Sequence, residues 1–477
     1  MRLFPRIAAL PLVLVACPAE PIVQQTDESS TGDESTSTGE TPTSTGEEAT
    51  STPTDPGTTD PDETSSTSST TDTDDTGPAP PPICGNGIPE GDEPCDDGND
   101  DPDDGCNKIC ELTGKPIWTQ SWDSGDKRDD LAYDVLIDPD GNIYVAGTVE
   151  RSDYYADAVV RKLDKDGKEL DTFTFAGQLG LDDGGRGVAL GPAGSVFLCG
   201  YEVLVDQGPE QGFVRKFDED GGTAWTYTRM SIYPDGFSLF HRVIVDGDAI
   251  YVVGAEEIED NIYQVFVERL DPDDGQPVWT ALQPETEAFS TLGLAFTPEG
   301  DVLLATSLPG KADDTKPMLV RLAADDGAEV WSQSYPGTGY ARSVAVNADG
   351  DIAATGFVRG DNGEGNVWTA RLTADGEVVW TDKYDRDGKP DVGSSVAWSS
   401  AGDIYVGGYA TQDTLADVFV RRFTGDGEAY WTSFYNDEID LFDAVNGIAV
   451  SDEMVVAVGS ETVAGSGDNM WIRAYEP

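Results

Sequence analysis

From residue 117 to the C-terminus, short apolar runs alternate with polar breaks, and the alternation itself repeats. Residues 343–348 give way to Asp349-Gly350 and then to 351–358. After a polar loop, 366–373 give way to Asp375-Gly376 and then to 377–384. Such runs, rich in β-branched and aromatic residues and bounded by Asp and Gly, predict strands joined by tight turns. The unit therefore reads strand, turn, strand, loop, strand, turn, strand. Its first strand pair is almost continuously apolar, as in VALGPAGSVFLCG (188–200) and VIVDGDAIYVVGA (243–255), which predicts strands covered on both faces. The second pair is less apolar, as expected nearer the rim of a sheet.

The unit recurs seven times, with first pairs at 133–149, 187–201, 242–255, 292–307, 343–358, 395–409 and 447–460. Trp118, Trp225, Trp279, Trp331, Trp380 and Trp431 mark the fourth strands about every fifty residues, and Asp171 stands in the Trp place of one copy. Four-stranded units at this period predict an all-β, seven-bladed β-propeller over residues 113–477. The ends specify how it closes. The last copy stops at its third strand, 471–477, while 117–122 is a Trp-bearing strand with no earlier partner. Strand 117–122 is expected to complete the last blade, which removes two exposed sheet edges.

Three resemblances rest on these residues. DLAYDVLIDPDGNIYVAGTV (130–149) is similar to the bacterial SBBP-type propeller repeat. VERLDPDDGQPVW (267–279) and LVRLAADDGAEVW resemble quinoprotein-type repeats, which implies that the Trp docks between blades. Asp218-x-Asp220-x-Gly222-x-x-Trp225 resembles the Asp-box of sialidases, which implies a structural turn. Asp274, Asp326, Asp375 and Asp426 repeat its spacing to Trp, as a turn device would.

Upstream, residues 1–16 read as a signal peptide: Arg2 and Arg6 precede an apolar run, 7–15, too short to span a bilayer. Leu14-Val15-Ala16-Cys17 resembles a bacterial lipobox, which implies lipidation at Cys17 and an exported chain tethered to a membrane, outer membrane or cell surface. Residues 17–82 are Ser/Thr/Pro-rich and acidic; 18–83 hold 15 Asp/Glu and no Lys or Arg, so they are expected to form a disordered tether. Residues 83–112 form a cysteine module. Cys84, Cys95, Cys106 and Cys110 lie in a segment too small for an apolar core, so two disulfides are expected, in any of three pairings. The segment resembles the cysteine-rich repeat of myxobacterial surface proteins. Its acidic loop, with Asp96, Asp97, Asp100 and Asp104, is a candidate calcium site, because hard cations prefer oxygen ligands.

The net charge of -62, from 91 acidic and 29 basic residues, excludes nucleic acid as a partner. Catalytic signals are sparse. Cys199 stands alone in an apolar strand, without the vicinal pair typical of quinone-dependent dehydrogenases, and reads as a small core hydrophobe. His241 is the one His and the one imidazole base available. Lys162, Lys216, Arg269, Arg321, Arg371 and Arg422 recur in the third strand and read as partners for neighbouring carboxylates. The longer connections (124–131, 179–186, 202–211, 231–240, 256–263, 308–317, 385–392 and 436–442) share one face. With Tyr154, Tyr155, Tyr233 and Phe237 they form the candidate binding face. The expected function is a non-enzymatic cell-surface lipoprotein whose propeller binds an envelope protein, a glycan or a cation. The alternatives are a quinone- or calcium-dependent envelope enzyme and a scaffold for envelope assembly.

Overall fold

The computed structural model describes residues 114–477, except 154, 178, 206–207, 220, 288, 312–313, 413–414, 437–441 and 466. It also describes Cys84, Asn86, Gly87, Cys95, Asp96, Gly98, Cys106 and Cys110. Cys17, the tether, Tyr154, Asp97, Asp100 and Asp104 lie outside the described residues.

Strand β1 (Pro116–Trp122) opens the domain. Blade 1 is β2 (Asp130–Ile137), β3 (Ile143–Glu150), β4 (Ala156–Leu163) and β5 (Glu169–Phe175). Blade 2 is β6 (Asp183–Leu190), β7 (Val196–Val203), β8 (Glu210–Phe217) and β9 (Thr223–Arg229). Blade 3 is β10 (Ser238–Asp246), β11 (Ala249–Glu259), β12 (Ile262–Leu270) and β13 (Pro277–Leu282). Blade 4 is β14 (Gly293–Phe296), β15 (Val302–Ser307), β16 (Pro317–Leu322) and β17 (Glu329–Ser334). Blade 5 is β18 (Gly339–Val346), β19 (Ile352–Arg359), β20 (Gly365–Leu372) and β21 (Val378–Tyr384). Blade 6 is β22 (Val392–Trp398), β23 (Ile404–Gln412), β24 (Leu415–Phe423) and β25 (Ala429–Tyr435). Blade 7 takes β26 (Asp443–Val450), β27 (Val455–Val463) and β28 (Gly467–Tyr475), and β1 returns as its fourth strand.

The seam is antiparallel, from Trp118 opposite Ala474 to Trp122 opposite Met470. Beyond it, the Glu476 amide donates to the Lys115 carbonyl at 3.0 Å, and the Lys115 Nζ meets Glu476 Oε1 at 2.8 Å. The expected circular closure is what the chain does.

The core is not one centre but seven layers, one between each pair of neighbouring blades. Between blades 3 and 4, Val253, Val267 and Tyr251 pack on Leu294, Leu304 and Val320. Between blades 7 and 1, Val456, Val458 and Ile472 pack on Val135, Val145 and Val159. Each fully buried aliphatic chain contributes about 1.5–3 kcal/mol. Third strands are buried as deeply as second strands, so the expected fall in burial occurs only at the fourth, as in β13 and β17.

The recurrent Trp explains how the blades lock. The Trp279 indole N–H donates to the Ala324 carbonyl, in the next blade's last turn, at 3.1 Å. Trp118, Trp225 and Trp380 do the same to Lys165, Pro272 and Gly425 at 2.9, 3.1 and 3.0 Å. Above the Trp279 ring sits Gly327, at φ +71°, where an added Cβ would lie 2.6 Å from the indole. Only Gly fits that turn. The recurrent third-strand base serves the same joint: Arg269, Lys216 and Arg371 donate to the very carbonyl that the Trp reaches. Arg321, Arg371 and Arg422 also pair with Asp301, Asp351 and Asp403 at 2.8, 2.6 and 2.7 Å. In the copy without Trp, Phe173 takes over, with its ring 5.7 Å from Phe217 and under Gly221.

Trp279→Ala removes both the wedge and the indole donor. It is expected to lower unfolding free energy by about 3 kcal/mol, read from the denaturant midpoint. A loss below about 0.5 kcal/mol contradicts the wedge.

Candidate binding face and axial mouth

The tight turns between first and second strands, and between third and fourth, fall on one face of the ring. Asp and Asn side chains close them. Gly222 N–H donates to Asp218 Oδ1 at 2.7 Å, and Asp349 and Asp351 N–H donate to Asn347 Oδ1 at 3.1 and 2.9 Å. The Asp-box positions are thus turn caps. The remaining connections form the opposite, long-loop face.

Six large apolar side chains are exposed outside the strands among the described residues: Leu179, Leu204, Val205, Met230, Ile232 and Phe442. All six lie on the long-loop face. Five fall in three consecutive connections, after β5, β7 and β9, with Met230 at 68 % and Ile232 at 78 % exposure. Sequence reasoning named connections that hold five of the six but did not single out these side chains, since Leu179, Leu204, Val205, Met230 and Ile232 carry no aromatic or charged signal. Of the residues expected there, Tyr155 and Tyr233 are half-buried. Phe237 is not an exposed aromatic: it packs against Tyr263 at 5.7 Å and Phe289 at 6.3 Å. The expected loop over 256–263 is mostly strand, because β11 and β12 run on to a tight turn at Asp260-Asn261, with Asn261 at φ +58°.

The loops are held from below by buried carboxylates at the start of the first strands. Asp130 accepts from Ser124 N–H at 2.5 Å, and Asp183 accepts from Gly177 N–H. Asp391 accepts from Arg386 and Thr411 N–H at 2.6 and 2.8 Å, and Asp443 accepts from Thr462 N–H at 3.1 Å. All four are fully buried. Burial, the dominant cause, pushes Asp183 and Asp391 up to about 7 and Asp130 up to about 6.

Three residues further along, the first strand bulges. The bulged residue is Tyr133, Arg186, His241, Arg342, Ser394 and Asn446 in blades 1, 2, 3, 5, 6 and 7. First strands are innermost and each packs against both neighbouring first strands, so the bulges ring the axis toward the long-loop face. Some reach across blades: Arg186 lies over the Tyr133 ring at 3.8 Å, Arg342 Nε donates to Ser290 Oγ at 2.8 Å, and Asn446 Nδ2 donates to the Ala132 carbonyl at 2.8 Å. The next residue in each strand meets its neighbour closely. Asp134, Ser343 and Ser395 accept from the amides of Val188, Val396 and Ile448, one blade on. Gly293 sits where a Cβ would be 2.9 Å from the Ser343 Cα. Arg242 reaches Asp134, whose carboxylate is buried, and forms an ion pair from blade 3 to blade 1. His241 is buried; that burial, then the guanidiniums of Arg186, Arg242 and Arg342, lower its pKa to about 3. The imidazole is therefore neutral.

Elsewhere, Cys199 is buried and burial raises its thiol, as befits a core residue. In the cysteine module, Cys84 bonds to Cys110 and Cys95 to Cys106, the nested pairing. The Asp96 carboxylate accepts from the amides of Asn86, Gly87 and Gly98 at 3.2, 2.9 and 3.0 Å, and so caps the module's turns. A lateral groove of about 490 Å³ between blades 3 and 4 is lined by Gln264, Gln283, Leu322 and Glu329.

Residues 264–474 match the family described as outer membrane protein assembly factor BamB, and 81–111 match a domain of unknown function, DUF4215. No curated protein matches the chain in sequence. Among solved structures it is similar to the Dos1 propeller, at 10% identity and TM-score 0.45 over 76% of this chain and 95% of that one. It is also similar to Pyrococcus horikoshii acylaminoacyl peptidase, at 11% identity and TM-score 0.42 over 73% of this chain. There the match spans about half of the peptidase, 52%. A europium-containing methanol dehydrogenase matches at 10% identity and TM-score 0.44 over 76% of this chain and 93% of that one. The domain is a seven-bladed β-propeller.

The latching carboxyls make stability pH-dependent. Between about pH 4 and 7 the folded chain keeps protons on Asp183 and Asp391 that the unfolded chain has released. That contribution is complete below the unfolded pKa and disappears as pH rises through 7. Asp391→Asn is expected to flatten the decline of Tm between pH 5 and 8, measured by calorimetry; an unaltered profile contradicts the assignment.

Proposed function

We propose that this chain is a non-enzymatic, lipid-anchored surface protein whose propeller docks a protein of the cell envelope through its long-loop face. The observation that carries the reading is the segregation of exposed apolar side chains. Outside the strands, they fall on that face alone among the described residues, and five of six sit in three adjacent connections. A cluster of Leu, Val, Met and Ile suits the apolar centre of a protein interface. It suits a glycan poorly, since sugars ask for aromatic platforms and paired polar groups. The surrounding acidity gives such an interface a charged rim and selects partners with basic rims.

The address follows from the sequence. Lipidation at Cys17 and the acidic tether would hold the ring clear of the membrane surface. The match over 264–474 to a family described as an outer membrane assembly factor favours a scaffolding role within the envelope. The side chains with catalytic potential are occupied otherwise: Cys199 is core, and the His241 imidazole is buried and neutral.

Two measurements test this reading. Cys17→Ser is expected to move the chain from the membrane fraction to the soluble fraction; retention in membranes contradicts the anchor. Crosslinking in cells followed by purification is expected to capture an envelope protein with the native chain. Capture should fall at least about tenfold with the Met230→Ser/Ile232→Ser pair, since hot-spot truncation costs about 2 kcal/mol or more. Equal capture by both contradicts the docking face.

A further inference from the structure

The axis of the ring is basic, although the chain as a whole is strongly acidic. Arg186, Arg242 and Arg342 enter from the first strands of blades 2, 3 and 5, and His241 stands among them. The backbone explains the grouping. Gly187 lets β6 and β10 approach until an added Cβ would lie 3.1 Å from the His241 carbonyl oxygen, which sets Arg186 beside His241. On the other side, His241 meets the Phe289 ring at 6.0 Å, and the adjacent Ser290 holds Arg342.

The carboxylates nearby do not neutralise the cluster. Asp134 is taken by Arg242 and by the amides of Val135 and Val188. Glu210 bears on Arg186 from β8 but makes no ion pair with it. Two cations, Arg186 and Arg342, thus have no carboxylate within 4 Å among the described residues. Two polar atoms are buried without a hydrogen-bond partner, Arg186 Nη1 and His241 Nε2. The His241 side chain belongs to a residue only 5% exposed, so water does not freely supply the missing bond. Tyr133, Arg186, Ser394 and Asn446 are partly exposed, so the mouth is reached by solvent.

We propose that this axial mouth is an anion site, where Arg186 and Arg342 grip the oxygens of a small carboxylate or oxyanion and His241 completes the ring of contacts. Guanidinium groups match such oxygens in geometry and charge, and a bound anion supplies an acceptor for Arg186 Nη1, which now lacks one. The site lies on the axis and is independent of the apolar docking patch.

The single His gives a direct probe. Histidine-selective isotope labelling of the full-length, disulfide-bonded chain yields one imidazole to follow by NMR. Acetate and inorganic phosphate are titrated separately at constant ionic strength. The expected result is a saturable displacement of the imidazole resonances by at least one of them, and a rise in the imidazole pKa, because an anion favours the charged ring. Arg186→Gln should weaken that response at least about tenfold, the usual weight of a charge-assisted contact. Arg422→Gln, at the distant Asp403 pair, should leave it unchanged. Arg186 stands outside the apolar layers between blades, so its replacement leaves those layers intact even where Arg342→Gln disturbs folding. Absence of saturable displacement by both probes, or an undiminished response in Arg186→Gln, overturns the site.

Discussion

The ring depends on one repeated joint: a fourth-strand aromatic wedged beneath a positive-φ Gly of the next blade, reinforced at four joints by an indole N–H on that blade's turn carbonyl. The joint joins shape to polarity. The ring fills the space left by the missing Cβ, while the N–H and the cross-strand Arg or Lys satisfy a carbonyl that the turn leaves unpaired. The aromatic and the facing Gly recur around the ring, and the indole donor is present at Trp118, Trp225, Trp279 and Trp380, so each blade sets the angle of the next. Seven equal steps close on themselves, and the chain's two ends share the last blade. Gly114 continues the rule across the seam, where an added Cβ would lie 3.3 Å from the Trp431 ring.

The same geometry decides where function can reside. Blades taper toward the axis, so first strands meet within van der Waals distance and tolerate Gly or Ser at the contact, as at Gly293 and Ser343. In six of the seven first strands a bulge just before that contact adds one residue that no partner residue opposes. Those residues lie outside the strand-to-strand register and vary in type: Tyr133, Arg186, His241, Arg342, Ser394 and Asn446. The loop face varies too, being anchored by buried Asp residues rather than by its own packing. Rigid joints outside therefore leave two variable surfaces, the axial mouth and the loops.

Much of this was readable from the chain. The Trp period, the Asp and Gly turns and the unpartnered strand 117–122 follow from local rules of spacing, and they specified blade number and closure. What failed depends on tertiary neighbours. The bulges at Arg186 and Arg342 have no local signature, because their register is set by the opposing strand. Phe173 replaces the absent Trp two positions from Asp171, which a fixed-spacing template cannot find. The span 256–263 looks like a polar loop, yet cross-strand pairing from Glu256 with Gln264 to Glu259 with Ile262 makes it a hairpin. Phe237 looked exposed because its partners, Tyr263 and Phe289, are remote in sequence. The pairing of the four module cysteines was open for the same reason.

Hydrogen exchange at the seam tests the closed ring most directly. The amides of residues 117–122 that face Gly467–Tyr475 should exchange as slowly as those of the internal fourth strands, such as Val378–Tyr384, and open together with them. Exchange of the opening segment at the rate of an unstructured peptide, with the other fourth strands still protected, would contradict the ring.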